Sequence, residues 1–136
     1  MIEGITYSNS RGNRAAAEIT KEIVMLNWKE YRSQLLGRIG EIAKVVPETI
    51  RGYQALSAAG QKTNYLDAKQ RELIALAVAV TLRCDGCIVV HTTEAKKHGA
   101  TKEEIAEALG VAISVNAGAA LVYSARVMDA AEAVAS

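Results

Sequence analysis

The residues best suited to chemistry are Cys84 and Cys87, set two residues apart in Cys84-Asp85-Gly86-Cys87. They are the only cysteines in the chain. At the start of a helix, this spacing lets one turn bring both sulfurs within bonding range. The free N–H groups and the positive end of the helix stabilise a thiolate there, and the thiolate is the form that attacks. A dithiol also resolves its own oxidised intermediate, which suits turnover. A structural staple closing so short a loop would gain little from unfolded-state entropy. A close pair of this kind reads as catalytic or metal-binding.

His91 follows Cys87 by four residues. On a helix the two side chains share a face, so the imidazole can accept the Cys87 proton directly or through water. Glu72 lies on the preceding helix, beside Leu73 at the entry to an apolar run. A partly buried carboxylate there would orient His91, support its positive form or relay its proton. Spacing alone does not bring Glu72 to His91, and it does not decide which cysteine attacks first. His91 favours Cys87, while Cys84 lies closer to the helix start.

Other chemistries fit these residues less well. Haem attachment of the c type needs His directly after the second cysteine, and position 88 is Ile. A zinc site from Cys84, Cys87 and His91 still lacks a fourth ligand, and His98 is the only spare histidine. His98 itself reads as a cationic complement to a helix end near Gly99. No phosphate-cradling glycine loop is present. The βαβ pattern that surrounds a thioredoxin CxxC is missing too. Tyr53, Tyr65 and Tyr123 could line a pocket, but nothing in their spacing selects any of them. Trp28 reads as packing or interface.

The elements that must position these residues all read as helices. Residues 1–13 are polar and irregular, a tail. From residue 14 to about 36, Ile19, Ile23, Leu26 and Tyr31 recur at helical intervals. Gly37 and Gly40 mark a join. Pro47 opens a second helix that ends near residue 59, with Gly60 beyond it. Asp67 with Gln70 forms a capping box for a helix over about 68–81, which carries Leu73, Leu76, Ala77 and Val80 toward the core. A break at Leu82 and Arg83 leads to the cysteines, and residues 87–97 form a helix stopped by Gly99. Thr101 with Glu104 is the clearest capping box, and Ala100 and Ile105 sit at staple positions. The last segment, about 102–134, is helical with breaks expected at Gly110 and Gly118. No two-residue alternation or internal repeat appears, so the fold class is all-α.

Composition agrees. The chain has 136 residues, half of them hydrophobic, with no Phe and one Trp, so Ala, Val, Ile and Leu must build the core. The formal net charge is +1, and no basic cluster interleaves with aromatics, which argues against nucleic acid as a partner. The longest purely apolar run, Leu73 to Val80, is far short of the roughly 20 residues of a membrane span. The start, Met1-Ile2-Glu3-Gly4, has no basic or apolar signal region. A cytoplasmic protein without a membrane partner is therefore expected.

Three segments carry a family resemblance. Leu66-Asp67-Ala68-Lys69-Gln70-Arg71-Glu72-Leu73-Ile74-Ala75-Leu76-Ala77-Val78-Ala79 leads into Cys84-Asp85-Gly86-Cys87-Ile88-Val89-Val90-His91. Gly99-Ala100-Thr101-Lys102-Glu103-Glu104-Ile105-Ala106-Glu107-Ala108-Leu109 follows. Together they resemble the AhpD-like branch of the carboxymuconolactone decarboxylase family, over roughly Ile39 to Met128. The resemblance implies a division into an N-terminal tail and helix, 1–38, and an AhpD-like helical domain, 39–136. It implies a homo-oligomer, commonly a trimer or hexamer, and a catalytic set of Cys84, Cys87, His91 and Glu72 in which Glu72 and His91 relay a proton from Cys87. A hydroperoxide or disulfide would be the substrate, a dithiol such as a lipoyl-linked group the reductant, and a peroxiredoxin a further partner. No cofactor is expected. The AhpD pattern often has histidine just before its second cysteine, whereas this chain has Gly86. A decarboxylase or isomerase using His91 as base, and a metal-binding or interaction module, are the competing readings.

Overall fold

The computed structural model describes residues 25–135, which form five helices: α1 (Trp28–Val45), α2 (Pro47–Thr63), α3 (Ala68–Thr81), α4 (Asp85–Lys97) and α5 (Lys102–Ala135). Among the described residues there is no strand. The tail expected over 1–13 and the first part, 14–24, of the helix expected from residue 14 to about 36 lie outside the described residues; within them that helix begins only at Trp28, because Asn27 caps it and residues 25–27 are not helical.

Local chemistry explains most of the boundaries. Asn27 caps α1, its side chain accepting from the Glu30 N–H at 3.2 Å. Asp67 and Gln70 form the capping box of α3, with bonds of 2.7 and 3.0 Å. Thr101 and Glu104 do the same for α5, at 3.1 and 2.8 Å. The breaks expected at glycines fall elsewhere. Gly37 and Gly40 lie inside α1, Gly60 inside α2, and Gly110 and Gly118 inside α5. A glycine in a helix interior costs only about 1 kcal/mol, which neighbouring turns absorb. Proline is the stronger breaker: Pro47 lacks an N–H and forces Val46 out of the helical region, to φ −128° and ψ 64°. The first helix therefore ends at Val45 rather than near residue 36.

α3 packs against both α4 and α5, while α1 packs on α2 and reaches α4. The centre is a cluster of Leu76, Ala95 and Ala100, with Leu73 and Ile105 against it. Ala79, Val89 and Ala112 complete the buried hydrophobic set. Four of those six residues are alanines, so α3, α4 and α5 approach closely. Lys69 and Glu104 tie the start of α3 to the start of α5 at 2.6 Å. The Lys69 ammonium and the Thr101 N–H hold the Glu104 carboxyl below its usual range, and Glu104 in turn raises Lys69.

α5 is about 50 Å long at ~1.5 Å per residue, and only its first part is covered. Beyond Ala112 every described residue of α5 is exposed, including Leu121 and Val122 at 75% each. Asn116 anchors the middle of the helix, donating to the Thr81 hydroxyl at 2.8 Å. By length and composition alone α5 could cross a membrane. Ser114 and Asn116 divide its charge-free stretch into shorter apolar runs.

Candidate functional site

The site forms where α3 ends and α4 begins. Arg83 adopts a left-handed conformation, φ 54°. Its N–H donates to the Val80 carbonyl at 3.2 Å, and the Cys84 N–H donates to the Ala79 carbonyl at 3.1 Å. This is a Schellman closure of α3. Cys84, the last residue of that closure, is also the N-cap of α4, with its Sγ accepting from the Cys87 N–H at 3.2 Å. One residue thus joins two helix ends, its backbone closing α3 and its sulfur capping α4. Helix α4 begins at Asp85, two residues earlier than its periodicity suggests, because Cys84 occupies the cap.

Cys84 and Cys87 are joined as a disulfide, with Cα atoms 5.2 Å apart. His91 stands one turn further along α4. Its Nδ1 lies 2.7 Å from Glu72 Oε2 on α3. Both side chains are partly buried, 33% and 21% exposed, so the contact is shielded from much of the solvent. An ionised carboxylate can only accept, so this contact places a proton on Nδ1 and leaves Nε2 as the basic nitrogen. The two residues that spacing could not connect are therefore in direct contact across the α3–α4 interface.

Cys84, Cys87 and His91 line one cavity of about 210 Å³, together with Gly86 and Val90 of α4, Leu35 and Ile39 of α1, and Tyr53 of α2. Glu72 is not in the lining and acts on it only through His91. Leu35 and Ile39 share a face of α1 at a four-residue spacing, but ending that helix near residue 36 hides the pair. Of the three tyrosines singled out above, Tyr53 reaches the cavity. Tyr65 is exposed, and Tyr123 packs under Arg126, whose guanidinium carbon is 4.8 Å from the ring centre. His98 is the C-cap of α4, at the helix end where it was expected.

Glu94 lies one turn beyond His91. A hydrogen bond from Lys97 holds its carboxyl below the usual range, and His98 and Arg32 of α1 add weaker attraction. Among the described residues no group of three His, Cys, Asp or Glu side chains is arranged to hold a metal ion.

Fold and site together define an all-α protein with a disulfide at a helix N-terminus, beside a histidine held by a carboxylate. Residues 47–130 match the model of the carboxymuconolactone decarboxylase family. An uncharacterized protein of Haemophilus influenzae is 53% identical over 104 residues, 76% of this chain and 92% of its own length. The crystal structure of a carboxymuconolactone decarboxylase family protein from Legionella pneumophila superposes with a TM-score of 0.63 at 36% identity, covering 72% of this chain and 88% of that one. A protein from Methanobacterium thermoautotrophicum superposes at 0.59 with 30% identity, over 63% of this chain and 97% of that one. The chain belongs to the carboxymuconolactone decarboxylase family, the superfamily of AhpD-like helical domains.

Proposed function

We propose that this protein belongs to the AhpD-like branch and is a thiol-dependent hydroperoxide reductase or disulfide oxidoreductase. The observation that carries this reading is the shared cavity. The Cys84–Cys87 disulfide and His91 line the same space, and His91 is held by Glu72 at 2.7 Å. In the reduced protein, His91 Nε2 takes the Cys87 proton. The Cys87 thiolate attacks the outer oxygen of a hydroperoxide, the O–O bond breaks, and the leaving alkoxide takes a proton from His91 to depart as an alcohol. Cys87 is then a sulfenic acid. Cys84, its sulfur held by the Cys87 N–H and the helix end, attacks that sulfur and expels water, which gives the observed disulfide. A dithiol donor, such as a lipoyl-linked group, exchanges with the disulfide, returning both thiols and becoming a disulfide itself. A peroxiredoxin disulfide would be served by the same exchange.

We further propose a homo-oligomer, a trimer or hexamer, working in the cytoplasm. What supports association is the apolar groove between α3 and α5, lined by Ile74, Val78, Leu82, Val111 and Val115 among others. It continues into the exposed second half of α5. Apolar area of this extent marks an interaction site.

The test is dithiol-dependent hydroperoxide turnover by the wild type and by Cys84→Ser and Cys87→Ser. Turnover abolished in both variants is expected, with wild-type product carrying the Cys84–Cys87 disulfide. Unchanged activity in both variants would overturn the redox reading. Conversion of a lactone that depends on His91 but not on the cysteines would favour a decarboxylase instead.

A further inference from the structure

The cavity that holds Cys84, Cys87 and His91 has one polar side chain with no part in the chemistry proposed above, Tyr53. α1 is seated on α4 where Leu35 meets the bare backbone of Gly86, and α2 packs on α1. Ile50 is the only residue of α2 that is not exposed, so its side of the helix faces α1. Tyr53 lies three residues further on, on the same face, and that register carries it to the cavity. The residue lines the cavity and is still 65% exposed, which places it at the open side. The cysteines and His91, all half-buried, lie further in.

Hydrogen-bond donors are scarce among the lining side chains. Leu35, Ile39 and Val90 carry none, and the two cysteines are the reacting groups. His91 has its Nδ1 proton committed to Glu72 at 2.7 Å, and its Nε2 carries no proton until it takes one from Cys87. The side chain left to meet an incoming oxygen is Tyr53, whose hydroxyl has no hydrogen-bond partner among the described residues. We propose that Tyr53 is a catalytic residue, donating a hydrogen bond from its hydroxyl to the inner oxygen of a hydroperoxide. When the Cys87 thiolate attacks the outer oxygen, the electron pair of the breaking O–O bond moves to the inner oxygen. That oxygen lies away from the sulfur, toward the open side. A donor there steadies the developing charge until His91 delivers the proton. The carbon group of the substrate lies beyond it, in the opening, so the contact recognises the oxygen leaving group and sets no limit on width. This role rests on the hydroperoxide reading given above.

The test follows oxidation of the fully reduced protein by tert-butyl hydroperoxide, read as loss of free thiols, beside alkylation of the same thiols by iodoacetamide. Alkylation also needs the thiolate but releases iodide, which gains little from a hydrogen-bond donor. Tyr53→Phe removes one oxygen from an exposed side chain. It should slow the peroxide reaction by about tenfold, the factor expected of one hydrogen bond to a charged group. Its iodoacetamide rate, and the pH dependence of that rate, should match the wild type. Tyr65→Phe, on an exposed ring outside the cavity, should leave both reactions unchanged. A Tyr53→Phe protein oxidised as fast as the wild type overturns the proposal. Equal slowing of both reactions overturns it too, because the tyrosine would then act on the thiols and not on the leaving oxygen. A Tyr65→Phe effect as large as that of Tyr53→Phe has the same consequence. Wild-type protein that reduces disulfides but is inert to the hydroperoxide would remove this role of Tyr53 and keep the dithiol function. Inertness to both would remove the redox reading as well.

Discussion

At the residue scale, the proposed redox chemistry turns on the Glu72–His91 contact, 2.7 Å across the α3–α4 interface. A carboxylate bound to Nδ1 fixes the tautomer and keeps the ring from turning, so that Nε2 is the nitrogen left to face the cavity. Removing the imidazole removes the base outright, so His91→Ala should lower kcat/KM by about 10²–10⁴-fold. Glu72→Gln keeps a hydrogen-bonding partner for Nδ1 but removes the negative charge. Its loss should be smaller, and the pH at which Cys87 becomes reactive should rise. Alkylation of Cys87 as a function of pH, in a Cys84→Ser background, reads that shift. A Glu72→Gln profile identical to that of its parent would show that the carboxylate merely braces two helices. In the proposed mechanism Cys84 is the resolving thiol, its sulfur accepting from the Cys87 N–H at the N-terminus of α4.

At the element scale, α3 and α4 end with the same closure but with different residues at the left-handed position. At the end of α4, Gly99 has φ 79°, its N–H donates to the Lys96 carbonyl at 3.1 Å, and the Ala100 N–H donates to the Ala95 carbonyl at 2.9 Å. At the end of α3 the equivalent residue is Arg83, whose Cβ crowds the following carbonyl in this conformation. Arg83→Gly should therefore stabilise the protein by up to about 1 kcal/mol, and Gly99→Ala should destabilise it by about 1 kcal/mol. Denaturant titration of both variants measures this, and a matching loss in both would refute the shared geometry. The comparison also explains an uneven legibility. Gly99 advertised the end of α4, whereas an arginine carries no such signal, so the turn before Cys84 read only as a short break. Capping boxes at Asp67 and Thr101 were legible because each involves a few adjacent residues. The glycine breaks at residues 37, 40, 60, 110 and 118 were misleading because helix continuation there costs little.

At the scale of the whole molecule, the small alanine-rich core contrasts with the apolar surface left open. Val78, Leu82, Val111 and Val115 are all more than half exposed along the α3–α5 groove. If a second copy covers this face, a charge placed there is buried without a partner, at a cost of several kcal/mol. Val78→Glu should then convert the assembly to monomers or smaller oligomers, as read by light scattering with size-exclusion chromatography. A wild type that is monomeric at micromolar concentration would refute this use of the face, and detergent-dependent solubility would point to a membrane instead.

The residue types at positions 72, 84, 87 and 91, the all-α class and the two capping boxes, at Asp67 and Thr101, followed from the chain alone, because each depends on neighbours within about one helical turn. Three features needed the tertiary structure. Glu72 and His91 are nineteen positions apart and meet only because α3 and α4 pack side by side. Leu35 meets Gly86 from more than a third of the chain away, a contact that no local spacing encodes. The open face of α5 depends on which turns the other helices cover, and that is set by packing rather than by hydropathy. Short-range chemistry writes itself into local sequence, whereas the wall around the dithiol and the uncovered face arise only when the helices are brought together.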